Sequence, residues 1–131
     1  MLYQSMSGDA EEGKCTLTLE DTSIQDNGGI SMFLITNTTA EVYVKNCKFL
    51  NSKGKELSES DTAVLCKNCN TKERQWGKEG SNGGKVYLNF ENQALSGKIC
   101  AAEKDSFIQV ADSKNSALKL KKQKGKGTVK Q

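Results

Sequence analysis

The sequence predicts an all-β chain wound as a parallel β-solenoid, and three observations lead there. Apolar residues alternate with a period of two, while the three-to-four spacing of an amphipathic helix is nearly absent. The apolar runs are short, rich in β-branched and aromatic residues, and bounded by Gly, Asn, Asp and Ser. The runs also recur along the chain, as they do when one supersecondary unit is repeated.

In order, the runs are Thr16 to Leu19, Met32 to Thr36, Val42 to Val44, Ala63 to Cys66, Val86 to Leu88 and Ile108 to Val110. Between them lie turn-forming clusters such as Asp26-Asn27-Gly28-Gly29, Asn51-Ser52-Lys53-Gly54 and Gly80-Ser81-Asn82-Gly83-Gly84. Two overlays express the recurrence. One places Val42, Val64, Val86 and Ile108 in equivalent positions. The other, which we prefer, sets Phe33 against Val64, Val42 against Val86 across an insertion around 71–84, and Leu17 and Leu19 against Val42 and Val44. Either way the expected coil is about 22 to 25 residues long, and such a unit buries its apolar side only against its neighbours. Inward Val, Ile, Leu, Phe and Cys, with outward Thr, Lys, Glu and Tyr, follow from the alternation. A β-sandwich built from the same strands is the competing fold, and it requires hairpins at the Asn-Gly corners.

The 131 residues allow one domain. A formal charge of +3 is the sum of an acidic body and a basic end, because seven lysines and no acid occupy residues 114–131. The expected organisation is a solenoid over residues 1–120, part of a longer one, followed by a lysine-rich solvated tail over 121–131. The acidic body shows no nucleic-acid motif, so no nucleic-acid partner is expected. No apolar run is long enough to span a membrane, and the first residues do not read as a signal peptide. The chain has no histidine, which excludes imidazole-based catalytic pairs and histidine-bearing zinc sites.

Several segments resemble a known family: Leu2 to Ala10, Met32 to Ala40, Arg74-Gln75-Trp76-Gly77, Gly80 to Gly84 and Gln93-Ala94-Leu95-Ser96-Gly97. Spread over 2–120, they are similar to secreted clostridial proteins of the carbohydrate-binding, right-handed parallel β-helix type, which look like pectate lyases. The resemblance implies a right-handed β-helix, binding to cellulose or acidic sugars, bound calcium, and secretion or display at the cell surface in the parent protein.

The insertion 70–84 holds the only tryptophan and the only arginine. Trp76 offers a ring face for a sugar, while Arg74, Lys78 and Asn82 offer donors to hydroxyls or a carboxylate. These four are the expected ligand-binding residues; the alternative is that Trp76 covers a coil edge and Arg74 pairs with Glu73 or Glu79. For calcium, the expected oxygen ligands are Asp21, Asp26 and Asn27, with Glu20 adjacent, and solvated corner acids are the simpler alternative. The five cysteines, Cys15, Cys47, Cys66, Cys69 and Cys100, read as free thiols packed in the core. A disulfide or a zinc site around Cys66-Lys67-Asn68-Cys69 stands as the alternative. No catalytic residue is assigned. The expected function is non-catalytic polysaccharide binding. A lyase using calcium and a Lys or Arg base, and an adhesive solenoid stacking end to end on itself, are the other readings.

Overall fold

The computed structural model describes residues 2–5, 14–25, 29–36, 39–67, 85–102, 106–112, 116–122 and 125–131. Among these the chain is all-β, with no helix. Three sheets contain the strands. The first holds, in spatial order, β1 (Leu2–Ser5), β4 (Ile30–Thr36), β7 (Thr62–Lys67), β9 (Ala94–Ala101) and β11 (Ala117–Lys122). The second holds β12 (Thr128–Lys130), β10 (Phe107–Asp112), β8 (Lys85–Glu91), β5 (Thr39–Lys45) and β2 (Lys14–Glu20). The third pairs only β3 (Ser23–Gln25) with β6 (Lys48–Leu50). The chain visits first, second and third sheet twice, then alternates between first and second. Every pairing between these strands is parallel. Parallel neighbours cannot be joined by tight hairpins, so the sandwich expected as a competitor is not the fold.

The register explains the alternating pattern. In the second sheet Leu17, Val42, Leu88 and Val110 stand side by side, as do Ala40, Val86, Ile108 and Val129. The first sheet aligns Met32, Val64 and Ile99, and beside them Leu34, Cys66 and Ala101. Ile24 and Phe49 do the same in the third. All these side chains belong to one core, with Leu17 packed against its margin. Each face needs only every second residue to be apolar, which is what a period of two supplies.

The overlays predicted from sequence are met in part. Leu17 and Leu19 do pair with Val42 and Val44, and Val86 with Ile108. Val64, however, lies in the first sheet, so it is no equivalent of Val42. Met32 rather than Phe33 stands against Val64. A one-residue slip exchanges the two faces of a strand, so Met32 and Leu34 are buried and Phe33 is only half-buried. Val42 pairs with Leu88, two places from the expected Val86, and so keeps its face. Separations between stacked partners run from 21 to 46 residues, wider than the expected repeat.

The corners after β2, β5 and β8 have a common construction. Asp21, Asn46 and Asn92 follow the in-register residues Glu20, Lys45 and Glu91, and all three have positive φ, at 53°, 51° and 47°. Asn and Asp enter this region more readily than other residues with a Cβ. The Asp21 N–H donates to the Lys45 carbonyl at 3.1 Å, and the Asn46 N–H donates to the Glu91 carbonyl at 3.3 Å. The Asn46 amide donates to the Asp21 carboxylate at 2.6 Å. The corners therefore stack as the strands do.

After the third such corner the chain omits the third sheet. Gln93, 1% exposed, occupies the place. Its side-chain carbonyl accepts from the Cys47 N–H at 2.8 Å, and its amide donates to the Cys47 carbonyl at 2.6 Å and the Ala94 carbonyl at 3.1 Å. One side chain thus satisfies both backbone groups of Cys47, the residue that leads into β6.

At the basic end the strands run on past residue 120. Residues 117–122 form β11, whose Leu118 and Leu120 pack against the core. Thr128–Lys130 form β12 along β10 with Val129 buried. Leu118 and Leu120, two apart on β11, and Val129 on β12 draw this lysine-rich segment onto the sheets. Gly125 passes so close to β9 that a Cβ there would meet the Ala101 carbonyl oxygen at 2.5 Å.

Candidate functional site: the outer face of the second sheet

The residues expected from sequence to bind a sugar, Arg74, Trp76, Lys78 and Asn82, lie outside the described residues, and so do Asp26 and Asn27 of the expected calcium set. Asp21 is described, and its carboxylate accepts the Asn46 amide within the corner stack. Among the described residues no group of three or more Cys, Asp or Glu side chains is placed to hold a metal ion.

The cysteines divide. Cys47 and Cys100 are free and buried, as expected. Cys66 is disulfide-bonded, which corrects the free-thiol reading for that residue, and its partner is outside the described side chains. Burial pushes the Cys100 thiol above its ordinary pKa, because the thiolate would lose its hydration there.

The second sheet turns an ordered face outward. Reading across the strands in register, one column carries Lys85, Phe107 and Thr128, and the next carries Thr16, Glu41, Tyr87, Gln109 and Lys130. A third carries Thr18, Tyr43, Asn89 and Ala111, and a fourth carries Glu20, Lys45 and Glu91. Tyr43, Tyr87 and Phe107 thus fall on one diagonal over three adjacent strands. Strand spacing and rise place successive rings about 8 Å apart. Tyr43 is 42% exposed, the one large hydrophobic side chain among the described residues open to solvent to that degree, and Tyr87 and Phe107 are half-buried.

Polar groups flank the diagonal. The Tyr43 hydroxyl donates to the Glu41 carboxylate at 2.9 Å. The Asn89 amide reaches the Val42 carbonyl at only 3.5 Å, and that of Gln109 reaches the Lys130 carbonyl at 3.4 Å. Bonds that long hold the amides weakly and leave them available to a better partner. Lys85 Nζ stands 5.7 Å from the Phe107 ring centroid, a cation–π contact that fixes the ring at one end of the diagonal. In the fourth column Lys45 lies between Glu20 at 3.7 Å and Glu91 at 3.9 Å, so charge alternates from strand to strand. All three are exposed, and each pair contributes at most about 1 kcal/mol.

The face thus combines flat ring faces about 8 Å apart with hydroxyls, amides and a carboxylate on a backbone held by parallel ladders. The alternation in β5 and β8 signals outward tyrosines. Phe107 is missed by assigning every phenylalanine to the core, and the diagonal is missed because it depends on register between strands far apart in sequence. No family model, curated protein or solved structure matches the chain.

Proposed function

We propose that this chain is part of a right-handed parallel β-helix that binds polysaccharide without cleaving it, using the outer face of the second sheet. The observation that carries the reading is the Tyr43–Tyr87–Phe107 diagonal bordered by Glu41, Asn89 and Gln109. Sugar rings present C–H faces to aromatic rings and hydroxyls to amides and carboxylates, so alternating ring and polar columns suit a chain of sugars. The winding reading is supported by the regular return of the chain to parallel sheets around one core. The right hand is that of nearly all parallel crossovers. The resemblance to secreted clostridial carbohydrate-binding proteins points the same way.

The test is retardation in native gels containing hydroxyethyl cellulose or pectin. The wild-type protein is expected to slow in at least one, and Tyr43→Ala and Tyr87→Ala each to weaken the retardation about tenfold, the loss of one stacking contact. Tyr87→Phe should keep most of it. Unshifted mobility of the wild type in every polysaccharide refutes the binding reading. Retardation lost in Trp76→Ala but kept in Tyr87→Ala moves the site to the 70–84 segment. Release of unsaturated sugar, read by ultraviolet absorbance, overturns the non-catalytic part.

A further inference from the structure

Ending the third sheet after β6 leaves a notch in the side of the molecule. It is a groove of about 430 Å³ between β6 with its return at Glu56 and Leu57 on one side, and β9 and β11 on the other. Phe49, Leu57 and Leu95 form an apolar floor, all of them buried. Lys48, Lys119 and Glu56 line it as well, all exposed. Among the described residues neither lysine has a carboxylate within ion-pair distance, although the Lys119 charge also acts on Glu59, which Lys121 binds at 2.7 Å. Lys98 stands in register with Lys121, which adds to the positive field on this side. Asn92, held at the corner with positive φ, also borders the groove.

A groove of this size takes a small ligand, and its lining has the make-up of a binding pocket: apolar floor, few polar groups at the rim. The rim carries two unpaired cations against one anion. Lysine ammoniums act as point charges and bind phosphate oxygens without the bidentate geometry that arginine offers to carboxylate and phosphate alike; this rim has no arginine. A phosphate monoester carries about −1.5 to −2 at neutral pH, the charge that two lysines offset. The floor then takes a sugar ring, and Glu56 and Asn92 take its hydroxyls.

We propose that the notch binds a phosphorylated sugar, with the phosphate between Lys48 and Lys119 and the ring over Phe49 and Leu95. The site lies apart from the tyrosine diagonal and does not depend on the polysaccharide reading. Titration calorimetry with glucose 1-phosphate is expected to show saturable binding. Lys48→Ala and Lys119→Ala should each weaken it about tenfold, as loss of a charge-assisted contact does, while Lys130→Ala and Tyr87→Ala leave it unchanged. Binding should weaken as pH falls from 7.5 to 5, because the second phosphate ionisation lies near about 6. Equal affinity for galacturonate, unchanged over that pH range, overturns the choice of phosphate. Equal affinity for glucose overturns the role of the lysines, equal affinity for inorganic phosphate overturns that of the floor, and absence of saturation overturns the site. Because Tyr87→Ala separates the two faces, loss of polysaccharide retardation and loss of sugar-phosphate binding are read independently.

Discussion

Replacing Gln93 with leucine tests the account of how the third sheet ends. Leucine is close to glutamine in size and fills the buried space, so the cavity term stays small. The hydrogen bonds go: the Cys47 N–H loses an acceptor at 2.8 Å and the Cys47 carbonyl a donor at 2.6 Å, both within buried structure. A buried backbone group left unpaired costs about 1–3 kcal/mol, so two together are expected to cost about 3 kcal/mol. In a chain this size that lowers Tm by roughly 10 °C. The measurement is urea unfolding followed by circular dichroism in oxidising buffer, which keeps the Cys66 disulfide intact. Amide exchange at Cys47 should quicken by a factor set by the same free energy. A loss under about 1 kcal/mol, with Cys47 exchange unchanged, would show that solvent or another group serves Cys47 and that Gln93 does not take the place of a strand there.

Gly97→Ala is expected to destabilise by about 2 kcal/mol or more, because φ is 139° and a new Cβ would stand 3.0 Å from the Asp61 carbonyl oxygen and 3.1 Å from the Ala63 Cβ. Gly54→Ala, with φ 76° and nothing within 4 Å, should lose only about 1 kcal/mol; equal losses would refute the steric part of the explanation. Lys121 holds the Glu59 carboxyl below its ordinary pKa through a hydrogen bond and its charge. The pair's small stabilisation is therefore present above the ordinary carboxylate pKa and is lost as pH falls through the lowered one. Carbon-detected NMR titration should show Glu59 rising toward its ordinary value in Lys121→Ala, with the Lys119 charge still acting on it, and an unmoved titration would refute the pairing. Alkylation of native protein at mildly alkaline pH should spare Cys47 and Cys100, and alkylation after denaturation without reductant should label both but not Cys66; labelling of Cys66 would refute its disulfide.

Much of the sheet architecture is written in local pattern. The pairing of Leu17 and Leu19 with Val42 and Val44 is readable because β2 and β5 stand 25 residues apart with similar alternation, the separation that Asp21 and Asn46 also keep. The pairing of Met32 with Val64 is not, since two adjacent apolar residues, Met32 and Phe33, allow either register and only packing decides which is buried. Past residue 120 the lysine-rich composition outweighs pattern, because Val129 is the one apolar residue there. The aromatic diagonal and the notch are illegible for a common reason: both are products of neighbours brought together by stacking, Tyr43 beside Tyr87 and Phe49 beside Leu95. No spacing along the chain encodes either meeting.

The unequal separations between stacked partners, from 21 to 46 residues, carry an evolutionary consequence. A strand finds its place by the face it presents and by the corner that precedes it, so residues added between two strands need not disturb the ladder already built. Lengthening one connection is then nearly independent of folding, and dropping a whole strand is tolerable where a single side chain such as Gln93 takes up the backbone groups beside the gap. A molecule built on these terms acquires new surfaces by subtraction as readily as by insertion. The notch beside β6 is what one such omission leaves behind.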